Sequence, residues 1–416
     1  MNTPPGESAA SARIGRPILA LLLAAMLAIS SAYGLLLLLP LYLKVLGGTE
    51  ATFGALTAAS ALPAVVVLTG LLRFPDRVRP PVVLAGAAAV YALTAAALSQ
   101  VGSIGITLGA LVLVLGSTWA VIYTVGPMVV SEHVPDTARA AYIGYVTGTV
   151  QLGFGIGPVL GGSLHARGWT YPATFLFAAA LAAVAAGLAY LSAVIRPRHS
   201  ARSAAPADRR PVELRAALGR ILRSPALRPL AMILLLACLF TTMNSFQTTF
   251  AQLRGLSFDV FYTGYTVSVI AVRLVMARFF RDTGTDRTVI VATAGVSVAV
   301  LGFLAVGSHV ALYATFSVLL GGAYGLALPA IQARAVNFAP IGDRARMLPL
   351  AGLLFQIVIL GFPMVAGAVI ATFGYQTVFL VLFCLAAAVW LLSLQRSPRD
   401  SSGQLPVTEA RPTASP

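Results

Sequence analysis

Along this chain apolar residues come in long blocks separated by short polar interruptions. Crossing a hydrocarbon core takes about 20 consecutive apolar residues in a helix. Twelve blocks meet that length, at 17–43, 50–72, 81–100, 104–131, 139–165 and 171–194, then 229–252, 258–280, 288–306, 309–336, 345–372 and 374–394. Lipid offers no hydrogen bonds to a bare backbone, so each block is expected to be a helix that satisfies its own amides. The stretch between the sixth and seventh is rich in Arg, Ala and Pro and too polar to span. The pattern therefore predicts an all-α membrane protein of twelve transmembrane helices in two six-helix halves. The expected organisation is an N-terminal tail at 1–16, a first half at 17–195, a linker at 196–228, a second half at 229–395 and a disordered tail at 396–416. In the linker, Val212, Leu214, Leu218, Ile221 and Leu222 fit one apolar face opposite Arg215 and Arg220, as in a helix lying on an anionic membrane surface. A solvated loop fits the same residues.

Composition agrees with this solvent: 58% of the residues are hydrophobic and 10% are charged, a balance unsuited to a water-exposed domain of this length. The formal charge of +15 would suggest nucleic acid were it not for its placement. With the amino terminus inside, all of the 28 basic residues except Lys44, Arg167, Arg254 and Arg273 fall in cytoplasmic segments or at their borders. That bias fixes the orientation by the positive-inside rule, with both termini cytoplasmic. A bacterial inner membrane and no nucleic-acid partner follow as expectations. The first block exceeds a signal-peptide core and lacks a cleavage site, so it is read as a retained helix. Cys238 and Cys384 lie in apolar blocks without metal-ligand spacing and are read as small packing residues.

Polar and aromatic side chains collect on blocks 1, 4, 5, 7, 8, 10 and 11, whereas blocks 3, 6, 9 and 12 are poor in them. This partition predicts a central cavity ringed by the first group. Trp119 and Tyr123 share a helix face, as do Asn244 and Thr248. Gln151 and Gln356 sit mid-block, where an amide needs a partner or a wet cavity. With Gln247 and Tyr324 these form the candidate binding set, and Tyr33 and Phe246 add aromatic walls. Arg273 is read as the basic residue embedded in the membrane. An arginine at a helix centre costs about 2.5 to 3.5 kcal/mol on insertion scales, which predicts a compensating anionic group on a substrate or a role in ion coupling. Snorkelling to the interface is the alternative. The thirteen acidic residues fall at block ends, in loops or in tails, with Glu50 and Asp259 as fallback ion carriers at the outer ends of blocks 2 and 8.

The halves repeat. An ungapped offset of 205 pairs Gly116, Pro135, Arg139, Gln151, Pro158 and Gly162 with Gly321, Pro340, Arg344, Gln356, Pro363 and Gly367. Block 5 carries the run GFGIGPVLGG, in which Gly153, Gly157, Pro158, Gly161 and Gly162 complete the pattern GxxxGPxxGG. Glycines four apart let another backbone approach closely, and Pro158 removes an amide from the helix ladder. This run resembles the antiporter motif of major facilitator exporters, and the resemblance extends from Pro17 to about Leu394. It implies the major facilitator fold, two halves that rock about a central site, and exchange rather than uniport, with the motif helping to seal the halves against leak.

The loop GLLRFPDRVRPP from Gly70 to Pro81 resembles the family signature after the second helix, with Arg79 and Pro80 replacing its second glycine and next arginine. The resemblance sets Asp76 at the amino-terminal end of the eleventh helix and Arg77 against Glu132, with Arg139 nearby, as a conformational latch. Surface charges that hold topology are the other reading. No catalytic constellation or metal motif appears: His133, His165, His199 and His309 sit at block ends or in loops, unpaired with Cys or carboxylate. The expectation is therefore a cofactor-free, monomeric secondary transporter that exports a small organic molecule by alternating access, with protons as the coupling ion. A uniporter or importer and a non-transporting sensor are the alternatives.

Overall fold

The structure, a computed structural model, describes residues 5–73, 79–131, 136–195, 219–279, 285–340 and 343–395. Thirteen helices run in order: α1 Pro5–Leu36, α2 Leu39–Val45, α3 Glu50–Ala59, α4 Ala61–Arg73, α5 Pro80–Leu98, α6 Ile106–Ser131, α7 Asp136–Ala166, α8 Tyr171–Val194, α9 Leu227–Leu253, α10 Phe258–Phe279, α11 Thr285–Phe303, α12 Val310–Phe338 and α13 Arg344–Ser393. They make the twelve passes expected. Pass 1 is α1 with α2, broken where Pro40 opens a new first turn; proline at that position loses no helical hydrogen bond. Pass 2 is α3 with α4, and passes 3 to 10 are α5 to α12. The last helix holds two passes and turns at Gly374, whose φ of 83° suits a residue without a Cβ.

By length and hydropathy alone, nine spans qualify among the described residues. One of these is the double pass in α13. α7 is missing from the nine because glycines and polar residues dilute its hydropathy. Pro158 does not break α7, which runs unbroken from Asp136 to Ala166.

Within each half the repeat is visible as packing. A Cβ on Gly116 would strike Ser60 at the start of α4. The matching Gly321 in α12 lies against Tyr265 and Ser268 of α10, and Tyr265 stands 205 residues beyond Ser60. One duplicated helix crossing accounts for both glycines.

At the end bearing the termini, Arg334 is 5% exposed. It contacts Asp286 at 3.5 Å and donates to the carbonyls of Ser393 and Gln395, so it ties α11, α12 and the end of α13 together. Sequence placed it among cytoplasmic border charges; it is buried and satisfied by its neighbours. Arg220 forms a forked pair with buried Asp343, Nε to Oδ2 at 2.7 Å and a terminal nitrogen to Oδ1 at 2.8 Å. Ile221 beside it is fully buried in the protein. This corrects the surface-helix reading for that residue, since its side chain is occupied by the bundle and not available to lipid. Val212, Leu214, Leu218 and Arg215 lie outside the described residues.

Candidate functional site

Seven passes enclose a cavity of about 830 Å³. Its walls come from α1, α6, α7, α9, α10, α12 and the first pass of α13, which are the blocks singled out by their polar and aromatic content. The two halves meet here, so neither half alone encloses the space.

Of the eight candidate residues, Trp119, Tyr123, Gln151, Asn244, Arg273, Tyr324 and Gln356 line the cavity. Gln247 does not. Its carboxamide oxygen accepts from Tyr313 Oη at 3.0 Å and its nitrogen faces Met243 Sδ at 3.7 Å. The interior of the second half has claimed this amide, which removes it from the wall. Phe246 is also turned away, edge-on to Phe53 with ring centroids 5.6 Å apart. Thr248 donates to Leu37 O at 3.4 Å, across the two halves.

Among the wall residues that sequence reading missed are three phenylalanines, Phe154, Phe240 and Phe355, together with Gln332. Tyr33 stacks on Trp119 at 4.2 Å between centroids, and both lie against Phe154, at 5.1 Å and 5.3 Å. Phe154 reaches Phe240 of the other half at 6.3 Å, and Phe240 stacks on Tyr324 at 5.3 Å. A continuous aromatic surface therefore crosses from one half to the other. A signal for two of these was present: Phe154 is three residues after Gln151 and Phe240 four before Asn244, which are same-face spacings.

Polar atoms on this wall lack protein partners. Among the described residues, Gln151 Nε2, Gln356 Nε2, Arg273 Nε, Tyr324 Oη and Asn244 Oδ1 are buried without a hydrogen bond. Most buried polar groups in proteins are paired, so a cluster of five around one cavity marks a place where something else supplies the partner. Arg273 lines the cavity and has no ion pair among the described residues. Its half-buried side chain borders the space between the halves.

At the end remote from the termini the halves close on each other along two related seams. In the first, α7 meets α10: a Cβ on Gly155 would lie 2.7 Å from Thr266 Cγ2, and one on Gly162 would lie 2.6 Å from Asp259 Oδ1. In the second, α3 meets α13: a Cβ on Gly54 would lie 2.9 Å from Met364 Cα, and one on Gly367 would lie 2.9 Å from Glu50 C. Gly162 and Gly367 are partners in the 205-residue repeat, so each seam uses the same glycine of the duplicated helix. The remaining motif glycines have a different neighbour. Gly153 sits on Ser30 and Ser31, Gly157 on Gly34 and Leu35, and Gly161 on Leu38, all within the first half. The close approach predicted by the four-residue spacing is made to pass 1, and the seal between halves falls to Gly155 and Gly162.

Beside the second seam lies a charged knot. Lys44 Nζ is 2.6 Å from Glu50 Oε1, and Tyr375 Oη donates to the same oxygen at 3.2 Å. Thr249 bonds Tyr375 in turn. Lys44 and Glu50 belong to the first half, Tyr375 and Thr249 to the second. Glu50 lies at the outer end of block 2, as the sequence placed it, but it is 8% exposed because the packing of α13 covers it. The latch candidates Asp76, Arg77 and Glu132 lie outside the described residues, and so does the side chain of Arg139.

A helical membrane protein with two repeated halves around a cavity closed at one end has the architecture of a carrier. The sequence profile of the Major Facilitator Superfamily matches residues 21–357 and 282–416, and the chain belongs to that superfamily. No curated protein matches it in sequence. Among solved structures it is similar in fold to a nucleoside transporter, NupG, at TM-score 0.68 and 14% identity, covering 91% of this chain and 100% of that one. A bacterial homolog of the human lysosomal transporter Spinster, inward-facing and unoccupied, matches at TM-score 0.67 and 16% identity, covering 95% and 100%. The human organic anion transporter MFSD10 (TETRAN) matches at TM-score 0.61 and 15% identity, covering 94% and 100%.

Proposed function

We propose that this membrane transport protein is a secondary active exporter, moving a small organic molecule out of a bacterial cell across the inner membrane in exchange for protons. The observation that carries the reading is the cavity of about 830 Å³ walled by both halves, with the far end of the halves held shut by two seams of close contact at glycines. A volume of this size suits one small molecule. Separation of the seams while the halves close at the other end would present the same walls to the opposite face of the membrane. Since one chain supplies every wall, a monomer suffices. The basic residues of the linker and loops favour a cytoplasmic location for the termini, which makes the seams the periplasmic gate. The full antiporter run in α7 favours exchange over uniport.

Coupling is assigned to Glu50. Among the described residues no carboxylate lines the cavity, which turns the search for a proton carrier elsewhere, and Glu50 is a carboxylate whose hydrogen bonding spans the halves. In this proposal, opening the gate withdraws Tyr375 from Glu50 and exposes the carboxylate to the outer water, from which it takes a proton; closure buries it again beside Lys44, and the proton leaves through the cavity once that faces the cytoplasm. Glu50→Gln keeps the shape and the Tyr375 contact while removing the titratable group. In reconstituted vesicles this variant is expected to keep substrate exchange between the two sides and to lose accumulation against a gradient. Accumulation equal to the parent protein would remove Glu50 from the coupling step.

A further inference from the structure

We infer that the cavity is built for a flat aromatic molecule carrying a carboxylate or a similar planar anion; this rests on the transport reading and names its substrate class. Three independent features of the wall converge on that chemistry.

The first is charge. Among the described residues, Arg273 is the charged residue on the cavity wall, and no acidic side chain shares the wall with it. A guanidinium with a free Nε presents a fork that matches two oxygens of a carboxylate. A cationic ligand would meet this charge without any compensating acid, and repulsion in a partly dry site is costly. The second is donor excess. Gln151 and Gln356 are 7% and 4% exposed, and their Nε2 atoms are unpartnered, as is the Tyr324 hydroxyl. The two amide nitrogens donate only and the hydroxyl can donate or accept, against a single acceptor-only atom, Asn244 Oδ1, among the orphaned buried atoms of the described wall residues. The repeat sets Gln151 and Gln356 on opposite halves, so an acceptor-rich ligand between them would bond to both. The third is the aromatic surface from Trp119 through Phe154 to Phe240 and Tyr324. Neighbouring rings offer faces and edges on which a planar ring system packs better than a saturated one.

The aromatic body bridging the halves and the anion held by Arg273 from α10 would together fix one orientation. A ligand held from both sides would also be released when the halves part, because neither half carries the full set of contacts.

The test is a binding series with the purified full chain in detergent, read by ligand-induced thermal stabilisation over a concentration range. The probes are indole-3-acetate, its neutral isostere indole-3-acetamide, the cation tryptamine and the saturated anion cyclohexaneacetate. The expected order puts indole-3-acetate first, at least about tenfold tighter than the amide and tighter than cyclohexaneacetate, with tryptamine weakest. Arg273→Gln is expected to bring indole-3-acetate and indole-3-acetamide to within about twofold of each other. Its folding is checked by the unliganded melting temperature, and its cavity by whether the amide still binds. Equal or tighter binding of the amide or tryptamine to the parent protein would overturn the inference. So would equal binding of cyclohexaneacetate, or a preference for the anion that survives Arg273→Gln. Because binding is read without transport, an anion that binds and is never moved would keep this inference and refute the exporter reading. A cation that is bound and moved would do the reverse.

Discussion

Replacing Arg273 by glutamine is expected to lower transport about thirtyfold or more at normal membrane abundance, and replacing it by lysine to give an intermediate loss. Removing one member of a hydrogen-bonded charge pair in a desolvated site costs about 2 to 5 kcal/mol, and each 1.4 kcal/mol is a factor of about ten. The lower end of that range sets the thirtyfold figure. Lysine keeps the charge but not the planar fork, so its variant separates simple attraction from two-point recognition. The structure supplies the reason to expect an effect at all. An arginine that snorkelled to the interface would have its guanidinium in water, whereas this one lines the cavity with its Nε buried and unpartnered. Flux assays at matched expression decide the matter. Unchanged transport in both variants would show that Arg273 serves only the fold.

Gly157→Leu is expected to abolish transport and to lower thermal stability. The reason is local and geometric: even a Cβ at position 157 would lie 2.5 Å from Gly34 C and 2.6 Å from Leu35 N. Both obstacles are backbone, so no side-chain rotation relieves them, and α7 has to move off pass 1. Overpacking in ordinary cores costs about 1 to 3 kcal/mol, and a forced separation of two helices falls at the upper end or beyond. Gly187→Leu is the control. It adds the same side chain to α8 where a Cβ meets nothing within 4 Å, and it is expected to leave stability and flux unchanged. If Gly157→Leu folded and transported as the parent does, the backbone contact between α1 and α7 would be of no consequence to either.

Much of the fold was legible because membrane crossing is a one-dimensional constraint. Block length, polar punctuation and the placement of arginine carry it, and the 205-residue repeat gives the pairing of the halves. The inward-facing set of helices was legible for a related reason, since polar side chains in lipid are costly and therefore face the cavity. What escaped was partner choice between distant parts of the chain. Gln247 has the residue type and spacing of a wall residue, but Tyr313, 66 positions away, holds its amide. Glu50 reads as a helix end in sequence, and only the return of Tyr375, 325 positions later, makes it a buried link between halves. The glycines of α7 announced a close approach without saying to what, and the answer is divided between pass 1 and α10. Phe154 and Phe240 lie inside apolar blocks where one phenylalanine looks like another. Only their same-face spacing from Gln151 and Asn244 sets them apart.

The central claim is gradient-driven movement through this cavity, and the most direct measurement is flux in inside-out vesicles with an acid lumen. Such vesicles place the cytoplasmic face outward, so an exporter coupled to protons drives its substrate into the lumen as protons leave. Indole-3-acetate is a stringent probe here, because passive partition of a weak acid excludes it from an acid compartment. The account predicts accumulation of labelled indole-3-acetate above the external concentration, collapse of that accumulation when a protonophore dissipates the gradient, and none of it in vesicles bearing Arg273→Gln. Equilibration without accumulation, or uptake indifferent to the proton gradient, would contradict it.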